Sequence, residues 1–235
     1  MDSSLFNPGK LHLPQEALTD GLQAAAWGEL VSNRIYITLS VISFIVLLTE
    51  LLRMLPLLLD CYSRVKAHYE IEHSYTSAQM RTFLFWTMVI PFCLMLDRFS
   101  IYSPDYLDKV PAEWRSTIVI LSFLGYLLLR HIIFIATGPK LSQEPSAMVH
   151  HAIYSYFIVM VLFMLFSCGV LLTFNASDRL ITDVLGVEII ISAVFALYGT
   201  KQNLTQYCSG FATILYLCSL ELIPAGILIA CGTLF

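Results

Sequence analysis

Charge is what this sequence has least of. Only 13% of its 235 residues are Asp, Glu, Lys or Arg, about half the share found in a soluble domain. A chain this poor in charge and 57% hydrophobic cannot cover a soluble surface with polar groups. Basic runs are missing too, and the net charge is -4, so nucleic acid is excluded as a partner. The six cysteines, Cys61, Cys93, Cys168, Cys208, Cys218 and Cys231, stand singly with no Cys-x-x-Cys pair, which excludes a disulfide framework and a zinc cluster. A basic start followed by a short apolar core is absent from the first 34 residues, so no cleavable signal peptide is expected. Nor does the chain contain a Gly-x-Ser-x-Gly elbow, a phosphate-cradling glycine loop or a His-Glu-x-x-His pair, so no motif points to an enzyme.

What the chain has instead is long apolar blocks. Backbone amides inside a bilayer must be paired within their own segment, and the alternating pattern of a transmembrane barrel is absent. The reading is therefore an all-α membrane protein whose first partner is the lipid bilayer. Six blocks are long enough to cross, at about 35–59, 82–98, 116–136, 152–174, 184–200 and 211–233. Residues 1–34 form a polar segment in which Leu18, Leu22, Ala25, Ala26 and Leu30 recur at helical spacing, which predicts a short amphipathic helix at the membrane surface. Thr76 to Gln79 read as a capping box for the second span.

Three acids fall inside the apolar blocks: Glu50, Glu188 and Glu221. Counted from one common side, at about 1.5 Å per residue, each lies roughly 15 Å deep. A carboxylate at that depth has to be paired, protonated or turned toward a cavity. Arg53, three residues from Glu50, and Arg130, beside His131, are the available counter-charges. Two arginines for three glutamates leave one acid over, the arrangement a proton relay needs. A buried ion-pair network that only fixes helix packing is the other reading.

Histidines gather at one end of the bundle, with His68, His73, His131, His150 and His151 on the same side. Facing imidazoles, His131 with His150 or His151, could hold haem or a transition metal, although no ligand-type spacing supports it. No cofactor is otherwise expected. Spans two and five are the shortest and occupy matching places in the two halves, a pattern that in repeat-built transporters points to a midplane site.

The run Leu215-Tyr216-Leu217-Cys218-Ser219-Leu220-Glu221-Leu222-Ile223-Pro224 resembles the C-terminal signature of an uncharacterised family of Bacteroidetes multi-pass membrane proteins, one of the domain-of-unknown-function families. That resemblance implies a bacterial inner-membrane protein of similar length and span number, and carries no catalytic residues with it. An even span number puts both termini on one side. Lysine and arginine near the helix ends tie between the two sides until Arg53 and Arg130 are added, which turns the termini to the non-cytoplasmic side. Three functions follow as expectations: a small transporter or proton- or ion-coupled component, a haem-handling protein, or a non-catalytic assembly protein with a homo-oligomeric or membrane-complex partner.

Overall fold

The computed structural model describes residues 27–137, 143–205 and 210–234. All the secondary structure of the described residues is helical. In chain order the helices are α1 (Val31–Ser63), α2 (Val65–His73), α3 (Tyr75–Arg98), α4 (Asp105–Asp108), α5 (Ala112–Thr137), α6 (Gln143–Thr173), α7 (Asp178–Thr205), α8 (Gly210–Leu217) and α9 (Ile223–Leu234). Five of them, α1, α3, α5, α6 and α7, are long and apolar enough to cross a bilayer. The chain is an all-α, multi-span membrane protein. The expected surface helix lies almost wholly outside the described residues; of its length only 27–29 are described as helical.

The sixth block is helical as well, but interrupted. Between α8 and α9 the residues Cys218–Leu222 form a π-helical turn, closed by the Ile223 N–H bonding to the Cys218 carbonyl. Pro224 supplies a reason: it has no N–H to give the previous turn, so the hydrogen-bond ladder shifts its register just upstream. Pro56 and Pro91 sit inside α1 and α3 and remove one ladder bond each.

The spans are longer than their apolar blocks. α3 begins at Tyr75 rather than near residue 82, capped by Ser74, whose hydroxyl accepts the Ser77 N–H at 3.5 Å. α7 covers 28 residues, two more than α5, so the short fifth span, and with it the match between short spans two and five, is gone. The reason is that helices carry polar ends past the hydrocarbon: Asp178 and Asp183 at one end of α7, Lys201 to Asn203 at the other. Residues 65–73, read as part of a polar loop, form α2, set off from its neighbours by single extended residues at Arg64 and Ser74.

α3 and α6 are the inner helices. They bring together Leu84, Phe85, Met88, Phe92, Phe157, Ile158 and Val161, all buried. Phe157 makes edge contacts with Phe85 and Phe92 at 5.0 and 5.1 Å and lies nearly parallel to Phe123 of α5 at 5.6 Å. Outward, Ile35, Val46, Leu121, Phe166 and Ile190 are exposed, which in water would be a liability and in lipid is the required surface. α3 and α6 stop in the same way. Ile101 N bonds to Leu96 O and Ala176 N to Leu171 O, each at 3.0 Å, around Ser100 and Asn175 at φ 48° and 51°. This is the Schellman arrangement, closing each helix with one left-handed residue.

Candidate functional site

At the end of the bundle where α2 joins α3, a fully buried arginine sits on the wall of a groove. Arg81, 1% exposed, lies in the second turn of α3 and donates from Nη2 to Glu72 Oε2 at 2.8 Å. The other oxygen of Glu72 meets His151 Nδ1 at 3.2 Å. One carboxylate thus joins three helices: α2, which carries it, α3 and α6. The extended Ser74 makes this possible, since it turns the chain between α2 and α3 and brings residues 72 and 81 face to face.

Glu72 is half-buried. Burial alone would push its acid strength down, but the hydrogen bond from His151 and the Arg81 guanidinium outweigh it and hold the carboxyl at about 2. It is ionised at any physiological pH. Beside it, Tyr75, Thr76, Gln79, Phe83 and Trp86 complete a groove of about 620 Å³, within the range that takes a small organic molecule. The lining mixes aromatic faces with hydroxyl and amide groups.

Behind the groove lies a second polar cluster. His68, one turn before Glu72 on α2 and 1% exposed, places Nε2 3.2 Å from the Tyr156 hydroxyl. Tyr156 donates in turn to the Cys61 carbonyl at 3.2 Å, and Tyr62 donates to the Tyr156 carbonyl at the same distance. Burial and the Arg81 charge lower the imidazole of His68 to about 4, so it is neutral. At the far end of the bundle, Asp97 (4% exposed) accepts from Trp27 Nε1 at 2.7 Å and from the Ser116 hydroxyl, while Arg115 Nε approaches its other oxygen at 3.2 Å.

The residues singled out from sequence are placed as follows. Glu188 on α7 accepts the Ser167 hydroxyl from α6, and its Oε2 is buried without a partner among the described residues. Glu50 is half-buried on α1 and Arg53 is exposed there; among the described residues no ion pair joins them. Arg130 is buried on α5, close enough for its charge to act on Tyr154 of α6, and His131 beside it is exposed. The side chains of Glu221 and His150 lie outside the described residues. His151 belongs to the groove. Among the described residues no group of three or more His, Cys, Asp or Glu is arranged to hold a metal ion.

Glu72, Arg81, Tyr156 and Asp97 are the residues that sequence reasoning passed over, and His68 entered it only as one of the histidines at this end. One signal for the two on α2, His68 and Glu72, existed: Ala67, His68 and Ile71 recur at helical spacing, the mark of a short helix with an inner face, and the structure buries all three. No known family model, curated protein or solved structure matches this chain.

Proposed function

We propose that this membrane protein is a small transporter or proton- or ion-coupled component, and that its working site is the groove built on Glu72, Arg81 and His151. The observation that carries the reading is one carboxylate held between a permanently charged, fully buried arginine and a histidine that lines an open groove. Burying charges at a membrane edge costs several kcal/mol per ion unless they are well paired. A packing tie alone needs no opening beside it. Here His151 brings an imidazole nitrogen to the same carboxylate from the lining of the groove. A ligand in the groove therefore meets a carboxylate that stays charged, held by Arg81 on one oxygen and by His151 on the other.

The membrane is proposed to be the bacterial inner membrane, in keeping with the resemblance of 215–224, with the groove end cytoplasmic because Arg64 and Lys201 lie at the helix ends there. The mid-span acids Glu188 and Glu221 would serve the same path at greater depth. The test is proton movement in proteoliposomes carrying a trapped pH-sensitive dye, under an imposed potential. Wild type should equilibrate faster than empty vesicles, and Glu72→Gln should slow it at least tenfold. His151→Gln leaves the Glu72–Arg81 pair intact and should slow it as well. Wild-type vesicles no more permeable to protons than empty ones would overturn the reading, as would unchanged flux in both variants.

A further inference from the structure

The cluster behind the groove contains more polar atoms than protein partners. Tyr156 has one hydroxyl hydrogen, and it goes to the Cys61 carbonyl. His68 must then donate through Nε2 to the Tyr156 oxygen, so its Nδ1 carries a bare lone pair. That Nδ1 is buried and has no partner among the described residues. Ser155, next to Tyr156 and 0% exposed, finds no hydrogen-bond partner for its hydroxyl beyond the weakly bonding Cys61 thiol.

The third wall comes from α7. Gly199 faces Tyr156 so closely that a Cβ there would lie 1.8 Å from the phenolic oxygen. Four residues on, and so on the same face one turn further along, Asn203 is 1% exposed with both Oδ1 and Nδ2 unpartnered. Thr200 is buried beside it. Within one helical turn of the Tyr156 contacts, three helices thus carry an imidazole acceptor, a hydroxyl and a whole amide, each buried. Four buried polar atoms without partners in one neighbourhood is far from the ordinary pattern, in which nearly every such group is bonded.

We propose that His68, Ser155, Tyr156 and Asn203 form a buried hydration site between α2, α6 and α7 that binds ordered water. The donor set argues for a neutral ligand. It contains no carboxylate, and the Arg81 guanidinium nearby repels a cation, the same charge that disfavours the imidazolium of His68. An anion would meet Glu72 one turn away on α2. Water suits the set because it can donate to Nδ1 and to the amide oxygen while accepting from the amide nitrogen and the Ser155 hydroxyl. About one or two molecules would satisfy these atoms. The site stands on packing and hydrogen-bond counting alone, independent of what the groove carries.

Hydroxyl-radical footprinting on the full chain in detergent tests it directly. Radicals made from bound water label the side chains touching it, so Tyr156, only 4% exposed, should be labelled in the native fold. Asn203→Leu, close in shape and unable to bind water, should abolish that labelling and lower the melting temperature by about 2–4 °C. Absence of Tyr156 labelling in wild type would overturn the site. A melting temperature unchanged or raised in Asn203→Leu would overturn it too, because a dry orphan amide is relieved by an apolar substitute. Ser155→Ala, a smaller change, gives the same readouts should the leucine variant fail to fold.

Discussion

His68 shows how one buried side chain ties stability to pH. Its ordinary pKa of about 6.5 falls to about 4 in the folded chain, first through burial and then through the Arg81 charge, against weaker help from the Cys61 carbonyl and Glu72. Between those two values the unfolded chain binds a proton that the folded chain refuses. Stability is therefore complete above about pH 6.5 and declines as pH falls toward 4; a gap of that size is on the order of 3 kcal/mol. Glu72 acts in the same direction over a lower range, from the ordinary carboxyl value down to about 2. We expect the unfolding midpoint in denaturing detergent to drop between pH 6.5 and 4, and His68→Phe to flatten that limb while leaving the loss below pH 4 in place. A His68→Phe profile parallel to wild type across pH 4–6.5 would show that His68 is not the group responsible.

At the scale of helices, the close approach of α6 and α7 depends on a missing side chain. Tyr156 points its ring at Gly199, and even a methyl group would fall 2.6 Å from Cζ. Tyr156 cannot simply swing aside, since its hydroxyl is held by His68 and Cys61 and its ring packs on Tyr62 at 5.0 Å. Gly199→Ala should cost about 1–3 kcal/mol, the usual range for overpacking. Combined with Tyr156→Ala it should cost far less than the sum of the two, and additive losses in thermal melts would show that the ring is not what limits the approach. This contact also marks where the sequence stops being readable. Long apolar blocks announce five spans and most of a sixth, because lipid demands apolar residues over a fixed length. The ends of those helices are invisible to the same reasoning: α2 was hidden in a polar stretch, and the fifth block, read as ending near residue 200, belongs to a helix that runs on to Thr205. The candidate site suffered for the same reason. Glu50, Glu188 and Glu221 stand out because charge in an apolar run is conspicuous, whereas Glu72 and Arg81 lie where charge is ordinary, and only their burial, a product of three helices meeting, sets them apart.

Across the whole molecule, α3 holds buried charge near both of its ends. Arg81 and Asp97 are separated by about 24 Å at 1.5 Å per residue, close to the thickness of a hydrocarbon core. Each end is tied to its neighbours through polar groups, while the middle of α3 packs only apolar residues. At the Asp97 end the ties reach α1 and α5. The Ser116 hydroxyl shares its one hydrogen between Asp97 and Asn33 Oδ1, the latter at 2.7 Å, Asn33 donates to the Trp27 carbonyl at 2.9 Å, and the Arg98 guanidinium lies 5.6 Å from the centre of the Trp27 ring. Which part of this matters most can be argued from exposure. The Arg115 side chain is 28% exposed and keeps access to polar surroundings and to the Ser103 hydroxyl, and without it Asp97 still accepts from Trp27 and Ser116, so losing this ion pair costs less than losing the carboxylate. Ser116 can keep Asn33 Oδ1, but the Trp27 donor has no second acceptor among the described residues where it meets a carboxylate that is 1% exposed, and a donor stranded there costs about 1–3 kcal/mol. Asp97→Ala should therefore be the most damaging change, Asp97→Asn intermediate because its amide oxygen still accepts one donor, and Arg115→Ala the mildest. Unfolding midpoints for the three variants decide the order. Equal losses for Arg115→Ala and Asp97→Ala would mean that charge, not hydrogen bonding, fastens this end of the bundle, and that α1 is held by attraction at a distance rather than by the chain of contacts from Asn33 through Ser116 to Asp97.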